Sequence, residues 1–291
     1  MKNVSSVYLN GQFIAPEQAT ISVFDRGFIF GDAVYEVIPV YGKRPFRLPQ
    51  HLQRLDINLR AVAINNPLSE TAWSEMLHRL IAENDSDDQS LYIQISRGVA
   101  PRDHAFPEDH TTPTVFAFSQ PLKTPPMPLL EKGVSAITQQ DIRWQRCDIK
   151  STALLANVLL RQAAVEQNAT EAILLRDGHI TEGAASNVII VDKDNVIATP
   201  PRNNLILPGV TRDLILELAR QHQMPAKERP LPESELATAK EIWLSSSTKE
   251  ILPVCKVNDQ IVGTGKPGPV FKEMLQHYQD YKQTFRKGDV E

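Results

Sequence analysis

Between positions 119 and 133 the chain reads SQPLKTPPMPLLEKG, with prolines at 121, 125, 126 and 128. A proline ring fixes φ and removes a backbone donor, so a run this dense continues neither a strand ladder nor a helix. It suits a semi-rigid linker. The 291 residues are ample for a buried core on each side of it. The expected layout is an N-terminal domain over residues 1–122, a linker over 123–132 and a C-terminal domain over 133–291.

Both lengths carry mixed patterns. The first opens with VYLNGQFI, where Asn10-Gly11 suits a tight primed turn between alternating strands. FGDAVYEVIPVY and the stretch after Gly42-Lys43 read as another strand pair. Helical spacing follows at about 49–64 and 69–84, and then SLYIQISRGV and TPTVFAFSQ read as strands. Beyond the prolines, strands are expected near 134–144 and within EAILLRDGHITEGAASNVIIVDKDNVIATP, which has turns at Asp177-Gly178 and Asp194-Asn195. PGVTRDLILELAR opens a helix, EIWLSSST is a strand, Asn258-Asp259 marks a hairpin, and a last helix occupies about 267–286. Strands and helices mixed in this way within each length give an α+β class.

The net charge of -4 and pI near 6.0 offer no broad positive field for phosphate backbones or anionic lipid, so nucleic acid is not an expected partner. Two cysteines, Cys147 and Cys255, are too few for a disulfide framework and lack metal-binding spacing. The start MKNVSSVYLNGQF has no apolar stretch after its lysine, and no later run reaches the ~18 apolar residues of a membrane span. A cytoplasmic protein is the expectation.

Some motifs fail on inspection. GTGKPG at 263–268 lacks phosphate-loop spacing and has proline where the metal-binding hydroxyl belongs. The acidic run at 83–88 lacks the glycine and terminal glutamate of a calcium loop. The histidines are scattered, so no metal site is expected.

Other features point to chemistry, although each taken alone also fits an ordinary structural role. Lys150 precedes Ser151-Thr152, good helix caps, and Ala153, Leu154, Leu155, Val158, Leu159 and Ala163 have the spacing of a helix with a wide buried face. A cation at a helix start opposes the peptide dipoles by about 0.3–1 kcal/mol, so a lysine there asks for a functional reason. PGVTRD places Gly209 before Val210 and Thr211, whose N–H groups can meet an anion. Ser245, Ser246, Ser247 and Thr248 end a strand with hydroxyls able to donate to it. Glu182 sits between apolar strands, where a carboxylate needs a partner. Arg102 and His104 alternate around Asp103 after a strand end, and an arginine fork matches a carboxylate. Arg54 lies on a helix with Leu52, Leu55 and Leu59.

Together these are an amine, an anion cradle, a buried carboxylate and a carboxylate trap. The segments DRGFIFGDAVYEV, RGVAPRDHAFPE, DIRWQRCDIKSTALL, ITEGAASNV, LPGVTRD and SSSTKEI span nearly the whole chain. In that order they resemble the class IV pyridoxal-phosphate aminotransferases. Branched-chain aminotransferases and aminodeoxychorismate lyases share mainly the lysine, glutamate and phosphate segments, whereas Arg102-Asp103-His104 and the intact DIRWQRCDIKS favour the D-amino-acid branch. R-selective amine aminotransferases are a further alternative of the same fold.

The resemblance implies two α+β domains with pyridoxal 5′-phosphate between them, the C-terminal one binding the cofactor. It implies transamination of D-amino acids such as D-alanine with a 2-oxo acid such as 2-oxoglutarate, in ping-pong fashion through a Schiff base on Lys150. Arg54, the amides of Val210 and Thr211 and the hydroxyls of Ser246 and Ser247 would bind the phosphate. Glu182 would pair with the ring nitrogen and Leu207 would pack on the ring. Tyr35, Arg102 and His104 would hold the substrate carboxylate, with the Arg102/His104 loop supplied by the other subunit of a homodimer. Close relatives often carry serines after the Glu-Gly pair, where this chain has Ala184 and Ala185. The resemblance therefore implies one hydroxyl contact fewer near the cofactor.

Overall fold

The computed structural model describes residues 4–107 and 111–289, so Glu108, at the end of RGVAPRDHAFPE, lies outside the described residues. The chain forms two compact units, one of Met1–Lys123, Ile149–Leu154 and Gly288–Glu291, the other of Thr124–Asp148 and Leu155–Lys287. Among the described residues no helix is long and apolar enough to cross a membrane.

In the first unit, β1 (Val7–Leu9) and β2 (Gln12–Ile14) flank Asn10 and Gly11. Both turn residues have positive φ, 48° and 92°, as a primed two-residue hairpin requires. A short helix α1 (Arg26–Phe30) leads into the long strand β3 (Ala33–Tyr41) and the stub β4 (Arg44–Pro45). Helices α2 (Leu48–Ala61) and α3 (Glu70–Ala82) come next, the latter capped by the Ser69 hydroxyl accepting from Ala72 N. Strands β5 (Gln89–Ser96) and β6 (Thr114–Pro121) complete a sheet of order β2-β1-β6-β5-β3-β4.

Strand geometry sends alternate residues to opposite faces. Val34, Ile38 and Val40 are fully buried and form one core with Leu91, Ile93 and Ile95 of β5, Leu52, Leu55 and Leu59 of α2, and Trp73, Leu77 and Leu80 of α3. On alternate positions of β3 and β5, Tyr35 stacks on Tyr92, which touches Phe116 and Phe118. The even row of β3 contains one misfit, Glu36, as buried as its apolar neighbours.

The second unit begins with α4 (Met127–Lys132). The expected linker is thus helical in its second half, because Pro126 stands at the N-cap and Pro128 in the first turn, where a missing N–H costs nothing. Then follow β7 (Val134–Gln140), α5 (Leu155–Glu166), β8 (Glu171–Arg176), β9 (His179–Gly183), β10 (Asn187–Val191) and β11 (Ile197–Thr199). Helix α6 (Val210–Gln221), strands β12 (Ala226–Glu228), β13 (Leu231–Pro232), β14 (Glu241–Ser246), β15 (Glu250–Val257) and β16 (Gln260–Ile261), and helix α7 (Pro269–Lys287) complete the unit. The sheet runs β12-β11-β10-β14-β15-β7-β8-β9-β13, with β16 paired to β15. Trp243 of β14 meets Phe271 of α7 edge-on, and Leu214, Ile215 and Leu218 of α6 are buried.

The segment around Lys150 departs from the sequence reading. No helix starts at Ser151: Val34 forms a bridge with Ser151, Tyr35 N donates to Lys150 O at 2.9 Å, and Thr152 N donates to Ala33 O at 3.0 Å. The Thr152 hydroxyl donates to Gly31 O at 3.1 Å, so it serves the edge of β3 and caps no helix. Residues 149–154 consequently group with the first unit, and α5 begins only at Leu155. Nor does α5 bury the predicted face, since Leu155, Val158 and Leu159 are each more than half exposed.

Candidate active site

Two clusters contain the residues singled out above. In the first unit, the backbone bond to Tyr35 fixes Lys150 beside β3 and brings its Nζ to 4.1 Å from the centre of the Tyr35 ring. On the core face of the same strand, Glu36 is fully buried. Arg54 donates from Nε to Glu36 Oε1 at 2.7 Å and from Nη2 to Oε2 at 2.8 Å. His51, one helical turn before Arg54, brings Nδ1 to Oε2 at 2.9 Å. Burial pushes the Glu36 carboxyl up, but Arg54 and then His51 outweigh it and hold the group well below the usual carboxylate range. The acid is therefore ionised and can only accept, so the His51 proton on this bond sits on Nδ1. Burial, only partly offset by Glu36, lowers the His51 pKa.

Arg54 is thus placed on α2 as expected, with its fork oriented by a carboxylate that the sequence reading did not single out. The signal was present: an acidic residue in the apolar row Val34, Ile38, Val40, and a His-Arg pair three apart on the facing helix.

Arg102 and His104 lie in the loop after β5, both exposed. The Arg102 guanidinium is 5.5 Å from the centre of the Phe30 ring, and the His104 ring is 5.4 Å from it. Beneath them Arg26 bridges Asp32 and the carbonyl of Asp103. Neither Arg102 nor His104 hydrogen-bonds Tyr35 or Lys150 among the described residues.

In the second unit, Glu182 on β9 is buried and takes donors on both oxygens. Arg143 Nη1 donates to Oε1, while Leu207 N at 3.0 Å and Asn187 Nδ2 at 3.1 Å donate to Oε2. Arg143 also donates from Nε to Asp141 Oδ1 and from Nη2 to Oδ2, both at 2.9 Å, so two carboxylates share one guanidinium. Burial raises the Glu182 carboxyl to about 7; Arg143 pulls it down and the neighbouring Asp141 charge works against that pull. Asp141 and Arg143 lie inside the motif DIRWQRCDIKS, yet nothing in their spacing indicates which acid they serve.

Gly209 is the N-cap of α6 and supplies no side-chain cap to the first amides, those of Val210 and Thr211. A Cβ at Gly209 would fall 2.0 Å from Asn187 Oδ1, so a side chain there would have to displace the Asn187 carboxamide. Ser245 pairs with Asn187 across β14 and β10, and its buried hydroxyl has no hydrogen-bond partner. Ser246 and Ser247 follow it, half-buried. An uncapped helix start, a glycine that keeps it open and a row of hydroxyls suit an anion such as a phosphate. After the Glu-Gly pair, Ala184 is buried with its carbonyl accepting from Asn157, and Ala185 is exposed. The one hydroxyl of this turn, on Ser186, donates to the buried Glu171 at 2.9 Å.

The profile of the amino-transferase class IV family matches residues 33–257. The chain is 39% identical over 281 residues to a D-alanine aminotransferase of Staphylococcus epidermidis, covering 97% of this chain and 99% of that one. In structure it is similar to the Escherichia coli branched-chain amino acid aminotransferase (TM-score 0.90, 27% identity, 95% and 94% of the two chains covered). The fold is shared with a branched-chain amino acid aminotransferase from T.th. solved with pyridoxamine 5′-phosphate (TM-score 0.90, 22% identity, 96% and 94% covered).

Proposed function

The chain belongs to the class IV aminotransferases, and from that premise we propose that it moves the amino group of D-amino acids such as D-alanine to a 2-oxo acid such as 2-oxoglutarate. The observation that carries the D-amino-acid reading is the 39% identity to a D-alanine aminotransferase over almost the entire length of both chains. The cofactor of this family is pyridoxal 5′-phosphate. The open start of α6, the unpartnered Ser245 hydroxyl and the buried Glu182 fit its phosphate and its ring nitrogen.

When bound, the cofactor supplies an electron sink for the pair left behind as the substrate Cα–H bond breaks. The protein does the rest. The amides of Val210 and Thr211 and the hydroxyls of Ser246 and Ser247 would hold the phosphate, and so would Arg54, whose fork Glu36 orients. Leu207 would pack on the ring. Glu182 would hold a proton on the ring nitrogen, since a carboxylate whose burial is costly gains most from a cationic neighbour. Lys150, held beside β3 by its backbone bond to Tyr35, would be the amine that holds the cofactor and that, when free, takes the proton from the substrate Cα. Tyr35, Arg102 and His104 hold the substrate carboxylate. Two half-reactions, donor in and acceptor in, give ping-pong kinetics.

The carboxylate trap is assigned to a homodimer, each chain lending Arg102 and His104 to the other. Two observations support this: both residues are exposed on their own chain, and apolar residues Val23, Phe24, Phe28, Val99 and Phe106 around the same loop are each more than half exposed. Clustered apolar exposure of this kind marks an association surface.

The test pairs a donor panel with labelling. Purified enzyme given 2-oxoglutarate should form pyruvate from D-alanine, and borohydride should fix the cofactor on Lys150. Faster use of L-alanine or L-leucine would overturn the D-amino-acid reading, and label on another lysine would overturn the role of Lys150.

A further inference from the structure

Asn187 opens β10 with its side chain buried, and it has no part in the reaction described so far. Its Nδ2 donates to Glu182 Oε2 at 3.1 Å and to Leu207 O at 2.9 Å. The amide of Leu207 returns a bond of 3.0 Å to the same Glu182 oxygen. The Asn187 Oδ1 sits against Gly209, in the space a Cβ would need. One short side chain thus touches the carboxylate at one end, the carbonyl of Leu207 in the middle, and the N-cap of α6 at the other end. A carboxamide is the group that fits, because both Nδ2 hydrogens are used as donors while Oδ1 lies against backbone. An aspartate would present an acceptor to Glu182, and a leucine would leave Glu182 Oε2 one donor short.

We propose that Asn187 is a positioning residue that ties the Glu182 carboxylate to the Leu207–Gly209 turn, and so fixes the spacing between the ring-nitrogen contact and the phosphate contact of the cofactor. The proposal rests on the assignment of Glu182 to the ring nitrogen. With the tie in place, a ligand that has both a pyridine nitrogen and a phosphate meets both contacts without rearranging the turn, which is the advantage of a preorganised site. Without it, each contact persists but the two are no longer set to one ligand length.

The discriminating measurement compares two ligands that differ only at one end. Pyridoxal phosphate and pyridoxal are titrated into cofactor-free wild-type protein and Asn187→Ala, followed by tryptophan fluorescence. The expected result is at least a tenfold loss of affinity for pyridoxal phosphate and at most a twofold loss for pyridoxal, so that the benefit of the phosphate shrinks. Equal losses for both ligands, or none, would overturn the tie. Gly209→Ala is a second variant at a position with ordinary φ of -73°: its added methyl meets Asn187 Oδ1, so it should weaken pyridoxal phosphate in the wild-type background and much less in Asn187→Ala. Additive effects would also count against the proposal. Glu182→Gln separates the underlying assignment: an unchanged pH titration of the bound-cofactor absorbance in that variant would overturn the ring-nitrogen contact and the tie with it. A changed titration together with a wild-type phosphate preference in Asn187→Ala would overturn the tie alone.

Discussion

Glu36 and Glu182 are both buried carboxylates facing an arginine, and they end at opposite extremes. Burial raises both. Glu36 has Arg54 bonded to both of its oxygens and His51 as a third donor, and its carboxyl drops well below the usual range. Glu182 receives one bond from Arg143, which gives two to Asp141, and it is raised to about 7. What separates them is how the guanidinium is divided. An arginine that grips both oxygens of one acid makes a permanent ion pair, whereas an arginine shared between two leaves one acid open to a further cation. The first arrangement suits a scaffold that orients Arg54; the second suits a group that meets the ring nitrogen of a cofactor.

The largest effect is expected at the permanent pair. Glu36→Gln leaves Arg54 buried without its counter-charge and should cost about 3–5 kcal/mol in urea unfolding at pH 7. Because the folded pKa of Glu36 is depressed, its contribution is complete above an unfolded value of about 4.5 and is lost as pH falls toward the folded value, so the acid-side decline should flatten in the variant. A variant as stable as the wild type would mean that the pair is not the permanent one its geometry describes.

Glu182→Gln should lower turnover about 10²–10³-fold, the usual cost of losing one preorganised electrostatic contact, while its unfolding free energy falls less than in Glu36→Gln because Arg143 keeps Asp141. Its pH dependence should have the opposite sign. A folded pKa raised to about 7 makes the contribution of Glu182 greatest below an unfolded value of about 4.5 and loses it as pH rises through 7. Measured without cofactor, the wild type should therefore lose stability relative to the variant between about pH 4.5 and 7.

Asp141→Asn is expected to have the smallest effect. It removes the charge that raises Glu182 and leaves Arg143 to Glu182, so the Glu182 titration should move acidward from about 7. Turnover should change by no more than about tenfold, the equivalent of one pKa unit. A basic shift of the pH–rate profile would show that Arg143 does not mediate between the two acids.

The features that could be read in advance were those with a local cause. Asn10-Gly11 announced its turn because only certain residues accept two positive φ values, and the open start of α6 followed from Gly209. Glu36 was readable in principle as a charge in an apolar row. Lys150 misled, because Ser151 and Thr152 satisfy capping rules that apply to any helix, while their actual bonds go to Gly31, Ala33 and Val34, more than a hundred residues earlier. Asn187, Asp141 and Arg143 are assigned by contacts between separate strands and loops, and no spacing in a sequence encodes which acid an arginine reaches.

That distant pairing at Lys150 has a consequence for synthesis. The sheet of the first unit is complete once Pro121 has been made, yet the strand edge at Val34 and Tyr35 waits for Lys150 and Ser151. Translation therefore delivers Lys150 after every strand of that sheet, and a fragment that stops at the prolines would carry those strands without the segment that bonds to β3. Splitting the gene at its apparent boundary would part the lysine from the strand that holds it.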